Sequence, residues 1–180
     1  MSDHLVVVDL QHVFGDPGSE WFTPRFASVV PRISALAEAF APRVTFTRFV
    51  APSEPMGAWR PYYERFPWAR QPATAPIYQL VEPFTGRPTL DCPTFGKWGA
   101  ELAARLAGDG MVLCGVSTDC CVISTALPAA DAGVRVRVVA DACAGANDET
   151  HAQALAVMAL YAPLIEVVDS VEALGPVDRG

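Results

Sequence analysis

Short apolar runs alternate with longer amphipathic stretches along most of the chain. Runs rich in β-branched residues predict buried strands, and apolar residues at helical spacing predict helices. The predicted strands are 5–9, 43–48, 89–92, 111–115, 134–141 and 164–169. The predicted helices are 24–40, 98–106, 121–132 and 148–160, with a terminal turn over 171–174.

This alternation of strands and helices is typical of βαβ units. The sequence therefore predicts an α/β fold in one domain over residues 1–180, with a mostly parallel central sheet and helices on both faces. Ligands of such sheets bind beyond the carboxyl ends of the strands, where the strand order reverses. Asp9 ends the first predicted strand and the segment 116–121 follows the fourth, so both are expected at that edge.

The segment 51–79 is rich in proline and aromatic residues and is too long for a simple connection. Segments of this kind usually cover a site, and small-molecule sites are mostly apolar. The candidates for a pocket wall here and in neighbouring segments are Trp21, Phe22, Trp59, Tyr62, Trp68, Phe95 and Trp98. Each of them would also suit a core or a subunit interface, and only their clustering favours a pocket.

Composition narrows the function classes. Hydrophobic residues make up 51% of the chain and charged residues 18%, which is ample for a packed core. The net charge of −7 argues against nucleic-acid binding, because phosphate recognition needs a basic surface. The chain starts without a basic segment, and the apolar run 5–8 is too short for a signal or a membrane span. We therefore expect a cytoplasmic protein with no membrane partner.

Cysteine and histidine positions predict neither a disulfide framework nor a metal site. The cysteines are Cys92, Cys114, Cys120, Cys121 and Cys143, an odd number without C-x-x-C spacing. The histidines His4, His12 and His151 are far apart, and no phosphate-binding or dinucleotide motif occurs. No metal or cofactor is expected.

The strongest local signal is Gly115-Val-Ser-Thr-Asp-Cys-Cys-Val122. A strand ends at its start and a helix begins near Cys121, and a helix N-terminus favours thiolate and offers N–H groups to an oxyanion. In the alternative, Thr118 or Asp119 caps the helix while both cysteines pack inside. Asp9 is likewise either a semi-buried carboxylate suited to proton transfer or a turn residue. The residues alone leave both questions open.

Several stretches resemble the isochorismatase-like cysteine hydrolase superfamily, which includes nicotinamidases, N-carbamoylsarcosine amidases and isochorismatases. The opening Val6-Val-Val-Asp-Leu-Gln-His-Val-Phe14 resembles its D-x-Q-x-x-F segment. The segment that ends in Cys121-Val122 resembles its G-V-x-T-D-x-C-V turn. The stretches 125–133 and 138–145 resemble the helix and strand that follow.

The resemblance implies a three-layer α/β/α fold and a homo-oligomer, dimer or tetramer, that acts on a small molecule. It assigns Cys121 as the nucleophile, Asp9 as the general base or acid, and the N–H groups of Ser117 and Cys121 as an oxyanion hole beside a cis Val116–Ser117 peptide. It further implies cleavage of a C–N bond in a small amide, ureide or lactam through a thioester. Family members that hydrolyse isochorismate generally lack the cysteine. Nicotinamidases hold zinc with an aspartate and two closely spaced histidines, a spacing that this chain lacks.

The chain departs from the family pattern at the third catalytic residue, a lysine. Related sequences read D-K-x-T-F-x-K-W, which places that lysine where this chain has Cys92. Lys97, the only lysine in the chain, matches the second lysine of the pattern. Three interpretations follow: Lys97 supplies the missing cation, an arginine such as Arg48 or Arg87 supplies it, or the site is weakened. In the last case the protein binds a small ligand or responds to oxidation through Cys92 and Cys121.

Overall fold

The computed structural model describes residues 3–108 and 110–175. Its strands are β1 (Asp3–Val8), β2 (Val44–Phe49), β3 (Thr89–Cys92), β4 (Gly110–Val116), β5 (Val136–Ala144) and β6 (Ile165–Val168). Its helices are α1 (His12–Gly15), α2 (Phe26–Phe40), α3 (Trp59–Arg65), α4 (Ala100–Leu106), α5 (Ile123–Asp131), α6 (Asp148–Ala159) and α7 (Ser170–Leu174). Every predicted strand and helix is present, and only the short helices α1 and α3 come in addition.

The strands form one six-stranded sheet in the order β3-β2-β1-β4-β5-β6, and all of its strand pairs are parallel. The predicted α/β fold class is confirmed. From the central pair, β1 and β4, the chain proceeds outward in opposite directions, so right-handed crossovers place the helices on opposite faces. Helices α2 and α7 pack together, as do α5 and α6. The predicted domain, 1–180, includes residues outside the described ranges and stays a prediction.

The central pair of strands is buried along its whole length. Residues 3–8 of β1 and 110–116 of β4 are all buried, because strands flank both and helices cover both faces. The outer strands β3 and β6 carry exposed acidic residues, Asp91 and Glu166. The order of the strands reverses at the buried pair, where ligands of such sheets bind.

The ends of β1 and β4 approach each other unusually closely. Gly115 has a φ of +116°, and a Cβ atom there would lie 2.2 Å from the Val8 carbonyl oxygen, so only glycine fits. Asp9, directly after β1, also has a positive φ, +52°. Such backbone conformations are uncommon for residues other than glycine and concentrate at functional sites.

The segment 51–79 folds over this edge of the sheet. It contains α3 and two short 3₁₀ turns, Pro67–Ala69 and Pro76–Tyr78. The buried amide of Gln11 donates hydrogen bonds to the carbonyls of Phe49 (2.9 Å) and Tyr78 (3.0 Å), and so fastens the segment to the sheet. No helix in the described ranges is both long enough and apolar enough to cross a bilayer.

Candidate active site

Asp9 and Lys97 form a fully buried ion pair at the carboxyl edge of the sheet. The Lys97 Nζ lies 2.8 Å from Asp9 Oδ2, and both side chains have zero exposure. Thr47 of β2 donates a hydrogen bond of 2.7 Å to Asp9 Oδ1. The ammonium also donates to the Thr94 carbonyl (2.9 Å) and lies 5.2 Å from the centre of the Phe49 ring. Each buried charge therefore has polar partners, as burial of an ion pair requires.

Two local features bring Lys97 to this position from the segment after β3. A Cβ on Gly96 would lie 2.5 Å from the Ser124 carbonyl oxygen, so glycine permits the close approach of this segment to α5. The Lys97 N–H then donates to the Thr125 hydroxyl (3.0 Å), which itself donates to the Cys121 carbonyl (2.7 Å). Thr125 thus links the backbone of the lysine to that of the cysteine.

Cys121 lies in a buried π-helical turn, Thr118–Val122, that leads from β4 into α5. The preceding Val116–Ser117 peptide is cis. The N–H groups of Cys120 and Val122 donate to the Ser117 carbonyl at 3.2 and 3.0 Å. The turn therefore wraps around that carbonyl, with the cysteine between the two donors.

Thr118 and Asp119 hold this turn against α6 and do not cap α5. The Thr118 hydroxyl hydrogen bonds with His151 Nδ1 at 2.8 Å. The Asp119 carboxylate accepts hydrogen bonds from the Ala146 N–H, at 3.1 Å to Oδ2, and from the Thr150 hydroxyl. The capping alternative therefore does not apply, and these side chains fix the shape of the turn.

The environment of the Cys121 thiol keeps it protonated in the resting protein. Burial raises the pKa of this thiol well above its ordinary value, the Asp9 charge raises it further, and the Lys97 charge lowers it. The helix start was expected to favour thiolate, whereas burial and the Asp9 charge act in the opposite direction. The thiol is close enough to hydrogen bond with Asp9, so a neutral thiol faces a carboxylate that can accept its proton.

Lys97 keeps its charge despite its burial. Burial lowers the pKa of the ammonium, but the charge of Asp9 and the hydrogen bond to it raise this pKa, and the net shift is upward. The structure also places the alternative cations. Arg48 pairs with Asp91, with Nε 2.8 Å from Oδ1, and Arg87 is exposed. Of the three candidates, only Lys97 pairs with Asp9.

A cavity of about 380 Å³ opens above Cys121. Ser117, Cys120 and Cys121 line its base. Its walls are mainly aromatic and comprise Phe14, Trp21, Phe22, Phe49, Tyr62, Phe66 and Phe95. Such a space suits a small, flat or apolar molecule.

The predicted aromatic residues divide into three groups. Trp21, Phe22 and Phe95 line the cavity beside Cys121. Trp59 packs behind that wall, with its ring centre 5.1 Å from that of Phe95. Trp98 lies apart from the cysteine, in a separate hollow that α4 and Arg135 border. Tyr62 also lines the cavity, so the structure places four of the seven aromatic candidates there, and Trp68 borders a neighbouring hollow.

Cys92 ends β3, half-buried, within the electrostatic influence of the ion pair. Burial raises the pKa of its thiol, and the Lys97 charge lowers it. Cys114 and Cys143 are buried in the core, as expected, and burial raises the pKa of the Cys143 thiol to about 12. The cysteines of the described ranges are all free thiols.

The chain matches the model of the Isochorismatase domain over residues 3–170. This chain belongs to the isochorismatase family. Comparison with curated protein sequences gave no significant match. Many solved structures share its fold, and three of them illustrate the range.

A cysteine hydrolase from Pseudomonas syringae pv. phaseolicola 1448A superposes with a TM-score of 0.82 at 19% identity, covering 96% of this chain and 90% of that one. N-carbamoylsarcosine amidase from Thermoplasma acidophilum gives a TM-score of 0.75 at 21% identity, with coverages of 99% and 100%. Pyrazinamidase from Pyrococcus horikoshii in complex with zinc gives 0.74 at 25%, with coverages of 94% and 99%. The isochorismatase-family fold thus extends over nearly the whole chain.

The zinc in the pyrazinamidase structure raises the question of whether this family member could hold a metal. Within the described ranges, no group of three or more His, Cys, Asp or Glu side chains is arranged to hold a metal ion. His12 is exposed, and His151 is engaged with Thr118. Among the residues that the structure describes, these side chains therefore do not form a set that fits a metal ion.

Sequence reasoning missed Thr47, Thr125 and Gln11 as parts of the site. All three are fully buried polar side chains that hold Asp9, Lys97 or the covering segment. A polar residue inside an apolar run was the available signal, since Thr47 alternates with apolar residues in β2. Arg65, which borders the cavity, carried no such signal, because it is an exposed arginine in a segment that contains other exposed arginines such as Arg70.

Proposed function

We propose that the protein is a cysteine hydrolase that cleaves the C–N bond of a small amide, ureide or lactam through a thioester on Cys121. The observation that carries this proposal is the buried Lys97–Asp9 ion pair, 2.8 Å long, beside the thiol at the base of the cavity. A buried charge pair is costly unless its partners are well arranged, and such pairs at a cavity are candidates for catalysis.

In the first half of the reaction, Asp9 takes the proton of the Cys121 thiol as the sulfur attacks the carbonyl carbon. Lys97 stabilises the thiolate that forms, because its ammonium already lowers the pKa of this thiol. The carbonyl oxygen becomes an oxyanion, which the N–H groups of Ser117 and Cys121 would bind. The C–N bond then breaks, the nitrogen takes the proton from Asp9, and ammonia or an amine leaves.

In the second half, water hydrolyses the thioester. Asp9 removes a proton from the water as its oxygen attacks the acyl carbon, and the same N–H groups would stabilise the second oxyanion. The C–S bond breaks, the acid leaves, and the proton held by Asp9 returns to the sulfur. The site is thereby restored without a cofactor.

The decisive test compares the two adjacent cysteines. Release of ammonia or amine is measured over a panel of small amides, ureides and lactams for the wild type, Cys121→Ala and Cys120→Ala. Loss of the nucleophile should reduce kcat/KM by about 10⁴-fold, whereas the Cys120 variant should keep most of its activity. Intact-protein mass spectrometry with a slow substrate should show an acyl adduct on the wild type. Undiminished hydrolysis by Cys121→Ala would rule out the proposal.

The second candidate function, a weakened family member that binds a ligand or responds to oxidation, rests on Cys92. This thiol stands where the family pattern has lysine; burial raises its pKa above the ordinary value, and the Lys97 charge offsets only part of that rise. The candidate predicts that the wild type cleaves nothing in the panel and that Cys92→Lys gains activity. Cleavage by the wild type would exclude it.

We also propose that the protein is cytoplasmic and forms a homo-oligomer. Native mass spectrometry of the purified chain tests whether it forms a homo-oligomer.

A further inference from the structure

Among the described residues, the cavity above Cys121 has one cationic side chain on its wall, Arg65. Arg65 is the last residue of α3, and its guanidinium carbon lies 5.2 Å from the centre of the Phe66 ring. Within the described ranges it forms no ion pair with a carboxylate. We propose that Arg65 selects substrates that carry a carboxylate besides the scissile amide. This inference rests on the proposed function and names the substrate class of that site.

Within the described ranges, the other charged side chains at the cavity form no ion pair with this cation. Lys97 is occupied by Asp9, beneath the thiol. Glu20 also lines the cavity, but its Oε1 accepts a hydrogen bond of 2.6 Å from the Trp68 indole, and it borders a second hollow as well. An unpaired arginine at a binding site, in a chain with a net charge of −7, is a specific feature of that site and not part of a general basic surface.

Arg65 and Cys121 line the same cavity, and Tyr62 lines it with them. The centre of the Tyr62 ring lies 5.0 Å from that of Phe66, beside which the Arg65 guanidinium lies, and 5.8 Å from that of Phe95. A molecule that fills a space of about 380 Å³ would therefore contact the base and the arginine together.

The chemistry of Arg65 and of Cys121 defines the substrate. A guanidinium presents a planar fork of donors that matches a carboxylate, and stacking on an aromatic ring fixes the orientation of the fork. Apolar walls between the two ends exclude water and favour a hydrocarbon or aromatic spacer. The predicted substrate is thus a short monoanionic amide with its carboxylate at Arg65 and its carbonyl carbon at Cys121.

Alkylation of Cys121 tests the selection without requiring hydrolysis. Iodoacetate and iodoacetamide both lose iodide and differ only in that the first carries a carboxylate and the second a carboxamide. Both alkylation rates depend on the same fraction of Cys121 thiolate, so the ratio of the two rates does not depend on that fraction. Peptide mass spectrometry measures both rates at Cys121 in the wild type, Arg65→Met, Arg65→Lys and Arg60→Met. Arg60 is the matched control, because it lies on the same helix but borders a different cavity.

We expect Arg65→Met to lower the iodoacetate-to-iodoacetamide ratio about tenfold, since a charge-assisted hydrogen bond to a carboxylate is lost. Arg65→Lys should lower it less, and Arg60→Met should leave it unchanged. Glu20→Gln should raise the ratio about twofold, because a nearby like charge is removed. An equal ratio in the wild type and Arg65→Met would overturn the proposal.

A binding measurement separates failure of this inference from failure of the proposed function. Calorimetry with Cys121→Ala and with Cys121→Ala/Arg65→Met compares benzoate with benzamide. Benzoate should bind Cys121→Ala the more tightly, and the second substitution should weaken its binding about tenfold while benzamide changes little. Equal benzoate affinities in the two variants would refute anion selection. A protein that binds benzoate through Arg65 but cleaves no amide would refute the hydrolase alone.

Discussion

Two buried aspartates at opposite ends of β1 form ion pairs of different construction. Asp3, at the start of the strand, faces Arg135 at 2.6 Å and Arg137 at 3.5 Å. Asp9, just after the strand, faces Lys97 and receives a hydrogen bond from Thr47. The ion pairs of Asp3 connect β1 with β5 and α7, because Arg137 of β5 also donates a hydrogen bond to the Glu172 carbonyl of α7. The ion pair of Asp9 lies beside a thiol and a cavity.

The difference lies in what each carboxylate can still do. Two guanidinium groups hold Asp3. Because arginine does not give up its proton, neither of these partners can transfer a proton to Asp3. Asp9 faces one ammonium, one hydroxyl and a neutral thiol, and the thiol can pass it a proton. A similar arrangement of charges thus serves stability at one end of the strand and is available for proton transfer at the other.

The largest expected effect separates the two aspartates directly. Asp9→Asn should reduce kcat/KM on any cleaved amide by about 10³-fold or more, because the proton acceptor is lost. Asp3→Asn should keep the activity and lower the free energy of unfolding by about 1–3 kcal/mol. Urea unfolding and steady-state kinetics on both variants check this. Equal activity losses in the two variants would contradict the distinction.

The second prediction concerns the cations. Lys97→Met should reduce kcat/KM by about 10²-fold, and removal of one partner of a buried pair should cost about 3–5 kcal/mol of stability. Adding Cys92→Lys to Lys97→Met tests whether an ammonium can return from the position of the family lysine, and part of the activity should recover. Arg135→Met is the control, since it should lower stability only.

The third prediction is a shift in the pH profile of Cys121 alkylation. In the wild type the rate should rise only above about pH 8.5, the ordinary thiol pKa, because burial and the Asp9 charge raise it. Asp9→Asn removes a negative charge that opposes thiolate, so its profile should move to lower pH. Lys97→Met removes the stabilising positive charge, so its profile should move to higher pH. Iodoacetamide rates at Cys121 over a pH series decide the signs, and identical profiles would contradict them.

The smallest expected effect tests the hydroxyl that links lysine and cysteine. Thr125→Val keeps the shape of the side chain but removes its hydrogen bonds to the Lys97 N–H and the Cys121 carbonyl. We expect kcat to fall about fivefold and stability to fall by about 1–2 kcal/mol. Thr125→Ser should restore both. If serine restores stability alone, the hydroxyl does not position the reacting groups.

The sequence predicted the framework because periodicity and strand ends are local properties. The buried runs located β1 and β4, and the parallel sheet then required Asp9 and Cys121 to share an edge. Trp98 was grouped with the cavity on its aromatic character, but the turn that points Lys97 inward carries Trp98 to another surface. Thr125 and Arg65 could not be assigned, since the Lys97 N–H that Thr125 binds and the Cys121 turn that shares a cavity with Arg65 lie in distant segments of the chain.

Gly96 has a consequence for how relatives of this chain are recognised. A criterion that requires lysine at position 92 would exclude this protein, whereas one that measures where an ammonium nitrogen lies relative to the first-strand carboxylate would include it. The absence of a side chain at Gly96 lets the backbone come close to α5. Lys97, five places after position 92, therefore supplies the positive charge beside Asp9.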